Sequence, residues 1–376
     1  MSCEVLTRQK KRFQFKRWHS EIGGDLSIVH SLTLRGRHYT VFLNADAMGK
    51  SMQGAGGSIV CGTLFKTIVA RTQNSYVASA QFPEQWLNAC YEELQNVFVS
   101  FEGTMMVSAV IGLLEDETGL VYYINAEHPA VVLLRAGHAQ FLENNSEAFL
   151  RKIGIDGTQE DLVVRTARLL PGDVLILGSD GRDDIALMHP EKKSRQINED
   201  ETIFLRIVET ASGHLDRVAT LLEESGSSLT TFRWFASPSV KMRRISAEDR
   251  EGPESLRKDG IELLRSGNYL DAVEVLQAYI GQIPEDTEAL YLVSFALKKL
   301  ADRKKMRLAV AYGECCRLRS PKMIQNLNNL ADCYRLLGNE ERAQELLRRA
   351  QELAPENERT RVAGEDRSRC LTGAPL

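Results

Sequence analysis

The stretch covering residues 41–57, V-F-L-N-A-D-A-M-G-K-S-M-Q-G-A-G-G, limits the possible folds more than any other part of the chain. Its first five residues are apolar and rich in strand formers, and the glycine-rich run behind them opens into an apolar segment at residues 59–70. Asp46 therefore stands at a strand-to-helix junction. A carboxylate there either caps the helix, as Asp often does, or holds something. Gly49-Lys50-Ser51 imitates the end of a phosphate-binding loop. That loop needs a glycine where this chain has Asn44, and an acidic Asp46 would lie inside its anion cradle. Both residues argue against a nucleotide loop.

Two other Asp residues have similar surroundings. Asp25 follows Gly23-Gly24 at the start of an expected strand, and Asp180 lies in Gly178-Ser179-Asp180-Gly181 at the end of one. Residues 25–34 and 38–45 are expected to form two strands joined by a tight turn at Arg35-Gly36-Arg37, which brings Asp25 and Asp46 to the same end of a sheet. A D-G turn alone would mean little. Asp183 and Asp184, however, make this turn one with three acids in five residues, which repel one another unless a cation neutralises them. Several Asp oxygens with no His or Cys cluster select hard ions such as Mg²⁺ or Mn²⁺.

Helices are expected at residues 59–72 and 82–98, the second with Pro83 in its first turn and Trp86, Leu87, Cys90, Leu94 and Phe98 in the core. Strands follow at residues 104–114, 120–125, 130–134, 162–169 and 174–177, then two helical segments within 198–224 and a last strand at 225–235. His128, in the turn N-A-E-H-P, is either structural or a general base whose partner the sequence does not identify.

The net charge of −4 argues against general nucleic-acid binding, although six basic side chains crowd residues 8–17, read as a solvated chain start. Seven scattered cysteines without C-x-x-C spacing suggest reduced thiols rather than disulfides or zinc. No apolar run approaches the roughly 20 residues of a membrane span, and no apolar core of signal-peptide type follows the basic start. A cytoplasmic location with no membrane partner is expected.

Residues 236–253 hold Pro238, Pro253 and several charges without sustained periodicity, as a linker would. Beyond them Gly267-Asn268 with Ala272 and Gly338-Asn339 with Ala343 recur 71 residues apart, and Pro284, Pro321 and Pro355 mark intervals of 37 and 34. Two periods of 34 and a three-residue insertion account for 71, and 34 is the tetratricopeptide period. About three repeats are expected over residues 254–357, the middle one poorly matched, with an ordinary helical bundle as the alternative and a disordered tail at 358–376. Stacked helix pairs of this kind would offer a groove to a protein or peptide ligand.

E-I-G-G-D, N-A-D-A-M-G-K-S, Y-I-N-A-E-H-P-A-V-V-L-L-R-A-G and L-L-P-G-D-V-L-I-L-G-S-D-G, in that order, resemble the motifs of the SpoIIE-type phosphatases of the metal-dependent, type-2C-like superfamily. The resemblance implies an α-β-β-α sandwich over residues 21–235, preceded by a basic segment at 1–20, with two Mn²⁺ or Mg²⁺ ions at one edge. It casts Asp46 as the Asp bridging both metals and Asp25, the Ala47 carbonyl and Asp180 as further ligands, with Asp46 and Asp180 the residues catalysis depends on. The implied reaction is hydrolysis of a phosphoserine or phosphothreonine on a regulatory protein of the anti-sigma-factor-antagonist kind, by a water whose pKa the ions lower. The chain departs from the family pattern in three places. Ser227-Ser228-Leu229-Thr230-Thr231 stands where the family has D-D-x-[ST]-L, Ile28 replaces an Asp, and Glu127 replaces the Gly before His128. Asp184 or Asp183 is then the candidate to supply the missing carboxylate. The competing expectation is a metal-poor pseudophosphatase that only binds partners.

Overall fold

The computed structural model describes residues 2–6, 11–15, 18–49, 52–143, 150–156, 162–182, 186–187, 196–197, 200, 202–224, 232–236 and 252–354. The chain divides into two compact units, residues 1–243 and 244–376.

The first unit is built on two five-stranded sheets. One runs Arg165–Arg168, Leu120–Ala126, Val107–Glu115, Arg37–Ala47, Asp25–Leu34, and the other Ser2–Leu6, Phe232–Ala236, Val174–Gly178, Val132–Arg135, His138–Phe141, all neighbours antiparallel. Successive side chains of a strand point to opposite faces, and here both faces are covered. Leu133, Leu175 and Leu177 join Phe42, Val110, Leu114, Val121 and Tyr123 in a core between the sheets. Their neighbours Val132, Leu134, Val174 and Ile176 pack outward on Phe204, Ile207, Val208, Leu215 and Val218 of the helices Thr202–Thr210 and Leu215–Glu224. Helices Met52–Asn74 and Pro83–Val99 cover the outer face of the first sheet. This is the expected four-layer sandwich. Burial on both sides explains why Val107–Glu115 is buried at every position and so shows no alternation in sequence.

The five residues expected in the core of the Pro83–Val99 helix are all buried. Other boundaries move. The first helix starts at Met52 rather than at residue 59, so Gly54 and Gly57 lie inside it. Each glycine costs a helix about 1 kcal/mol, yet a Cβ at Gly54 would come 3.0 Å from the Ala47 carbonyl oxygen and one at Gly57 2.8 Å from the Ala47 Cβ. Close approach to the strand end requires both glycines. Of the strand expected at 162–169 only Arg165–Arg168 pairs, and a hairpin strand, His138–Phe141, follows a turn in which Ala136 and Gly137 take positive φ. The basic start contains the strands Ser2–Leu6, Lys11–Phe15 and Trp18–Ile22, the first pairing with Phe232–Ala236. Counting its charges had hidden the polar–apolar alternation of Arg12-Phe13-Gln14-Phe15.

The second unit consists, over residues 252–354, of three helix pairs: Pro253–Ser266 with Tyr269–Gln282, Thr287–Lys299 with Arg303–Arg319, and Ile324–Leu336 with Glu340–Leu353. The insertion lies in Arg303–Arg319, which has 17 residues where its counterparts have 14. At the turns inside the outer pairs Gly267 and Gly338 have φ 82° and 85°, and in the middle pair Ala301 holds φ 53° in their place. Asp302 then caps the next helix as Asn339 does in the last pair. Ala272 and Ala343 are fully buried, and Met306 fills the matching place in the middle repeat. The linker at 236–253 and the tail at 358–376 lie almost wholly outside the described residues.

Candidate functional site

The hairpin register sets Asp25 directly opposite Asp46, and Asp46 in turn opposite Ser108 on the next strand. Residues in such a row share one face of the sheet. Here it is the face that Phe42 and Val110 present to the second sheet, so both carboxyls open into the edge of the gap between the layers. Asp180 comes from the other side of that gap, on the 3₁₀ turn Asp180–Arg182 behind the strand Val174–Gly178. The turn is anchored by Arg182, which is buried, donates to the Ala130 carbonyl at 2.7 Å and lies over the rings of Phe141 and Phe204.

The Ala47 carbonyl lies in the same corner. Its amide donates to Gly24 O at 3.1 Å, and a Cβ on Gly24 would fall 2.2 Å from Ala47 O and 2.7 Å from Asp46 Oδ1. Glycine at position 24 keeps the oxygen cradle open. Burial pushes the Asp25 carboxyl up to about 6; the Asp180 charge adds to the shift, and Ser179 works against it. Burial also raises Asp46, to about 7, with the charges of Asp25 and Asp180 behind it and Lys152 opposing. Carboxyls forced together in this way hold a proton or a cation at neutral pH. Among the described residues no three His, Cys, Asp or Glu side chains are gathered closely enough to hold an ion as they stand. The donor set is oxygen only, which fits Mg²⁺ or Mn²⁺. Asp183, Asp184 and residues 227–231 lie outside the described residues.

His128 is not placed as a general base. It is buried, with burial and the cations Arg182 and Lys152 pushing its pKa down to about 3. Asn44 donates from Nδ2 to Ser27 Oγ at 2.8 Å, which leaves its Oδ1 to accept from His128 Nε2 at 2.7 Å. The proton is therefore on Nε2, and Nδ1 accepts from Ser108 Oγ at 3.0 Å. With both nitrogens engaged, this neutral ring ties together the strands that carry Asp25, Asp46 and Ser108. Asn125 Oδ1 accepts from the His128 amide at 2.8 Å and closes the turn. Glu127, before the His, holds φ 50°, a left-handed backbone that favours glycine. Asn44 and Ser108 were missed as site neighbours because a polar residue in an apolar strand shows its partner only once strand order is known.

In the second unit a cavity of about 240 Å³ opens between Thr287–Lys299 and Ile324–Leu336, lined by Tyr291, Phe295, Lys298, Ile324, Asn328 and Asn329 among others. Asn329 is 3% exposed and donates from Nδ2 to Ser294 Oγ, and its Oδ1 has no hydrogen-bond partner among the described residues.

The family model of Stage II sporulation protein E (SpoIIE) matches residues 36–230. No curated protein matches the chain. Similar solved structures include the PP2C phosphatase domain with part of the regulatory domain of SpoIIE from Bacillus subtilis, at 15% identity over 62% of each chain with TM-score 0.43. The chain thus spans under two thirds of that structure. The SiaA-PP2C domain of Pseudomonas aeruginosa is 16% identical over 62% of this chain and 85% of its own, with TM-score 0.45. The Yersinia enterocolitica type III secretion translocator chaperone SycD is 22% identical over 32% of this chain and 88% of its own, with TM-score 0.27.

Proposed function

We propose, on the premise that this chain belongs to the SpoIIE family of PP2C-like protein phosphatases, that it is a metal-dependent serine/threonine phosphatase acting on a phosphorylated regulatory protein. The observation that carries the reading is the Asp25–Asp46 pair, set opposite each other at the sheet end around the oxygen cradle that Gly24 keeps open.

In this reading Asp25, Asp46, the Ala47 carbonyl and Asp180 would hold two Mn²⁺ or Mg²⁺ ions, with Asp184 as a further ligand. Such ions supply a water of lowered pKa and neutralise phosphoryl charge, so no nucleophilic side chain is needed. The chain's own contribution is placement. The His128–Asn44–Ser27 and His128–Ser108 bonds fix the strands that aim the carboxyls, and buried Arg182 fixes the turn that presents Asp180. The substrate class is a phosphoserine or phosphothreonine protein of the anti-sigma-factor-antagonist kind, in the cytoplasm. The repeats recruit it, with the cavity between the second and third helix pairs, lined by Tyr291, Phe295 and Lys298 among others, as the place for its peptide. The test is phosphate release from phosphoserine and phosphothreonine peptides by the full chain, with Mn²⁺, Mg²⁺ or a chelator. Release that needs the metal supports the reading, and equal release in chelator sinks it.

A second reading, a pseudophosphatase that serves as a protein-binding scaffold, is favoured by Ser228 where the family pattern has Asp. Ser228→Asp separates the two. If it turns an inert chain into a metal-dependent phosphatase, the scaffold reading holds for the natural sequence.

A further inference from the structure

The strand Leu120–Ala126 leaves the first sheet at Glu127, and its place beside Val107–Glu115 is taken by a second piece of chain. Ile153 exchanges both backbone hydrogen bonds with Val107, at 2.8 and 3.0 Å, and Leu150 bridges Ala126. Gly154 donates to Gln95 Oε1 at 2.8 Å, and Gln95 Nε2 reaches the Ile155 carbonyl at 2.5 Å. The strap is therefore fixed at its middle and on both sides.

Its register has a chemical consequence. Val107 and Ile153 form an antiparallel bridge, so one step along it Lys152 stands opposite Ser108. Ser108 stands opposite Asp46, and Asp46 opposite Asp25. Asp25, Asp46, Ser108 and Lys152 thus form one row across four neighbouring segments, with their side chains on the same face. Two strand spacings, roughly 10 Å, separate the backbones of Asp46 and Lys152. Ile153 turns the other way and is fully buried, while the Lys152 side chain keeps 25% exposure. Its charge reaches both Asp46 and His128. Among the described residues its ion-pair partner is Glu127, with Oε1 4.0 Å from Lys152 Nζ and Oε2 3.5 Å from Arg151 Nε. Ion pairs this long and this exposed contribute about 0–1 kcal/mol and are readily exchanged.

From this row we infer that Lys152 is the cation that receives the phosphoryl group of the substrate, with Glu127 holding the ammonium until phosphate displaces it. The inference rests on the metal-dependent reading of the Asp25–Asp46 site. Two divalent ions against Asp25, Asp46, Asp180 and Asp184 leave no net positive charge to meet a phosphomonoester dianion. Lys152 supplies one from a fixed backbone, at the distance of a flexible four-carbon stem. Lys152 is a binding group for the phosphate and takes no proton in the reaction.

Inorganic phosphate is the probe, titrated calorimetrically into the full chain with and without Mn²⁺. Lys152→Gln should weaken phosphate binding about tenfold and leave Mn²⁺ binding unchanged or tighter, because a repelling charge is removed. Lys152→Arg should restore most of the loss, and Glu127→Gln should tighten phosphate severalfold. Unchanged phosphate binding in Lys152→Gln overturns the assignment, as does a wild-type chain that binds Mn²⁺ but no phosphate. If phosphate binding falls in Lys152→Gln yet survives intact in Asp46→Asn, Lys152 stands and the metal reading of the Asp pair fails instead.

Discussion

Replacing Asp46 with Asn should change stability in opposite directions with and without metal. In the fold the Asp46 carboxyl is pushed from 3.8 up to about 7 by burial and by the charges of Asp25 and Asp180. That is roughly three pH units at about 1.4 kcal/mol each, so holding the group ionised at pH 8 costs the metal-free fold on the order of 4 kcal/mol. The side chain keeps some contact with solvent, and screening reduces the recoverable part to about 1–2 kcal/mol. Asn removes the charge at nearly constant shape. The metal-free variant should therefore melt about 2–8 °C higher than wild type at pH 8, using ~2–4 °C per kcal/mol for a unit of this size. With Mn²⁺ at about a hundred times its dissociation constant, wild type should gain roughly 2.7 kcal/mol and the variant nearly none, reversing the order. Calorimetric melting of both chains, with chelator and with Mn²⁺, reads this directly. If Asp46→Asn lowers the melting temperature in chelator and Mn²⁺ raises both proteins equally, the carboxyl is an ordinary helix cap and the account of the site is wrong.

Gly24→Ala should remove Mn²⁺ binding and cost about 1–3 kcal/mol of stability, since its Cβ would collide with the Ala47 carbonyl 2.2 Å away; a variant with a normal Mn²⁺ titration would show that the cradle is not the site. Asp25 and Asp46 have folded pKa values raised to about 6 and about 7, so their contribution to metal-free stability is complete below about pH 4 and is lost as pH rises through those values. Mn²⁺ affinity should accordingly rise at least tenfold between pH 5.5 and 8, and a flat profile would rule out proton competition at these groups. Truncation after Arg250 should leave hydrolysis of a small phosphate ester unchanged and weaken action on the phosphoprotein substrate. A severalfold change on the small ester would mean that the repeats regulate the site rather than recruit for it.

That the two carboxyls share one end of a sheet was legible in sequence because a tight turn joins their strands; the register was not, because Arg37 belongs to the second strand and the turn is the pair Arg35 and Gly36, at φ 51° and 77°, which sets Asp25 opposite Asp46. The sandwich was legible through the four ordered motifs and the family resemblance they carry. Contacts between distant segments were not legible. Lys152 joins the acidic row only because the strap replaces a departing strand, and nothing local to Arg151-Lys152-Ile153 announces that exchange. In sequence His128 could be a structural ring or a base in a turn, and the choice between them follows from Asn44 and Ser108, on two other strands. In the repeats the middle turn escaped notice because Ala301 adopts the left-handed conformation that Gly267 and Gly338 adopt more readily, with Asp302 in the capping role of Asn339.

The most direct test of the central claim is the initial rate of phosphate release from a phosphothreonine peptide as Mn²⁺ is titrated into wild type and Asp46→Asn side by side. A rate that rises to saturation with Mn²⁺ in wild type and stays at background in the variant is the predicted result. Hydrolysis by wild type that ignores both Mn²⁺ and chelator, or that survives undiminished in Asp46→Asn, would contradict it.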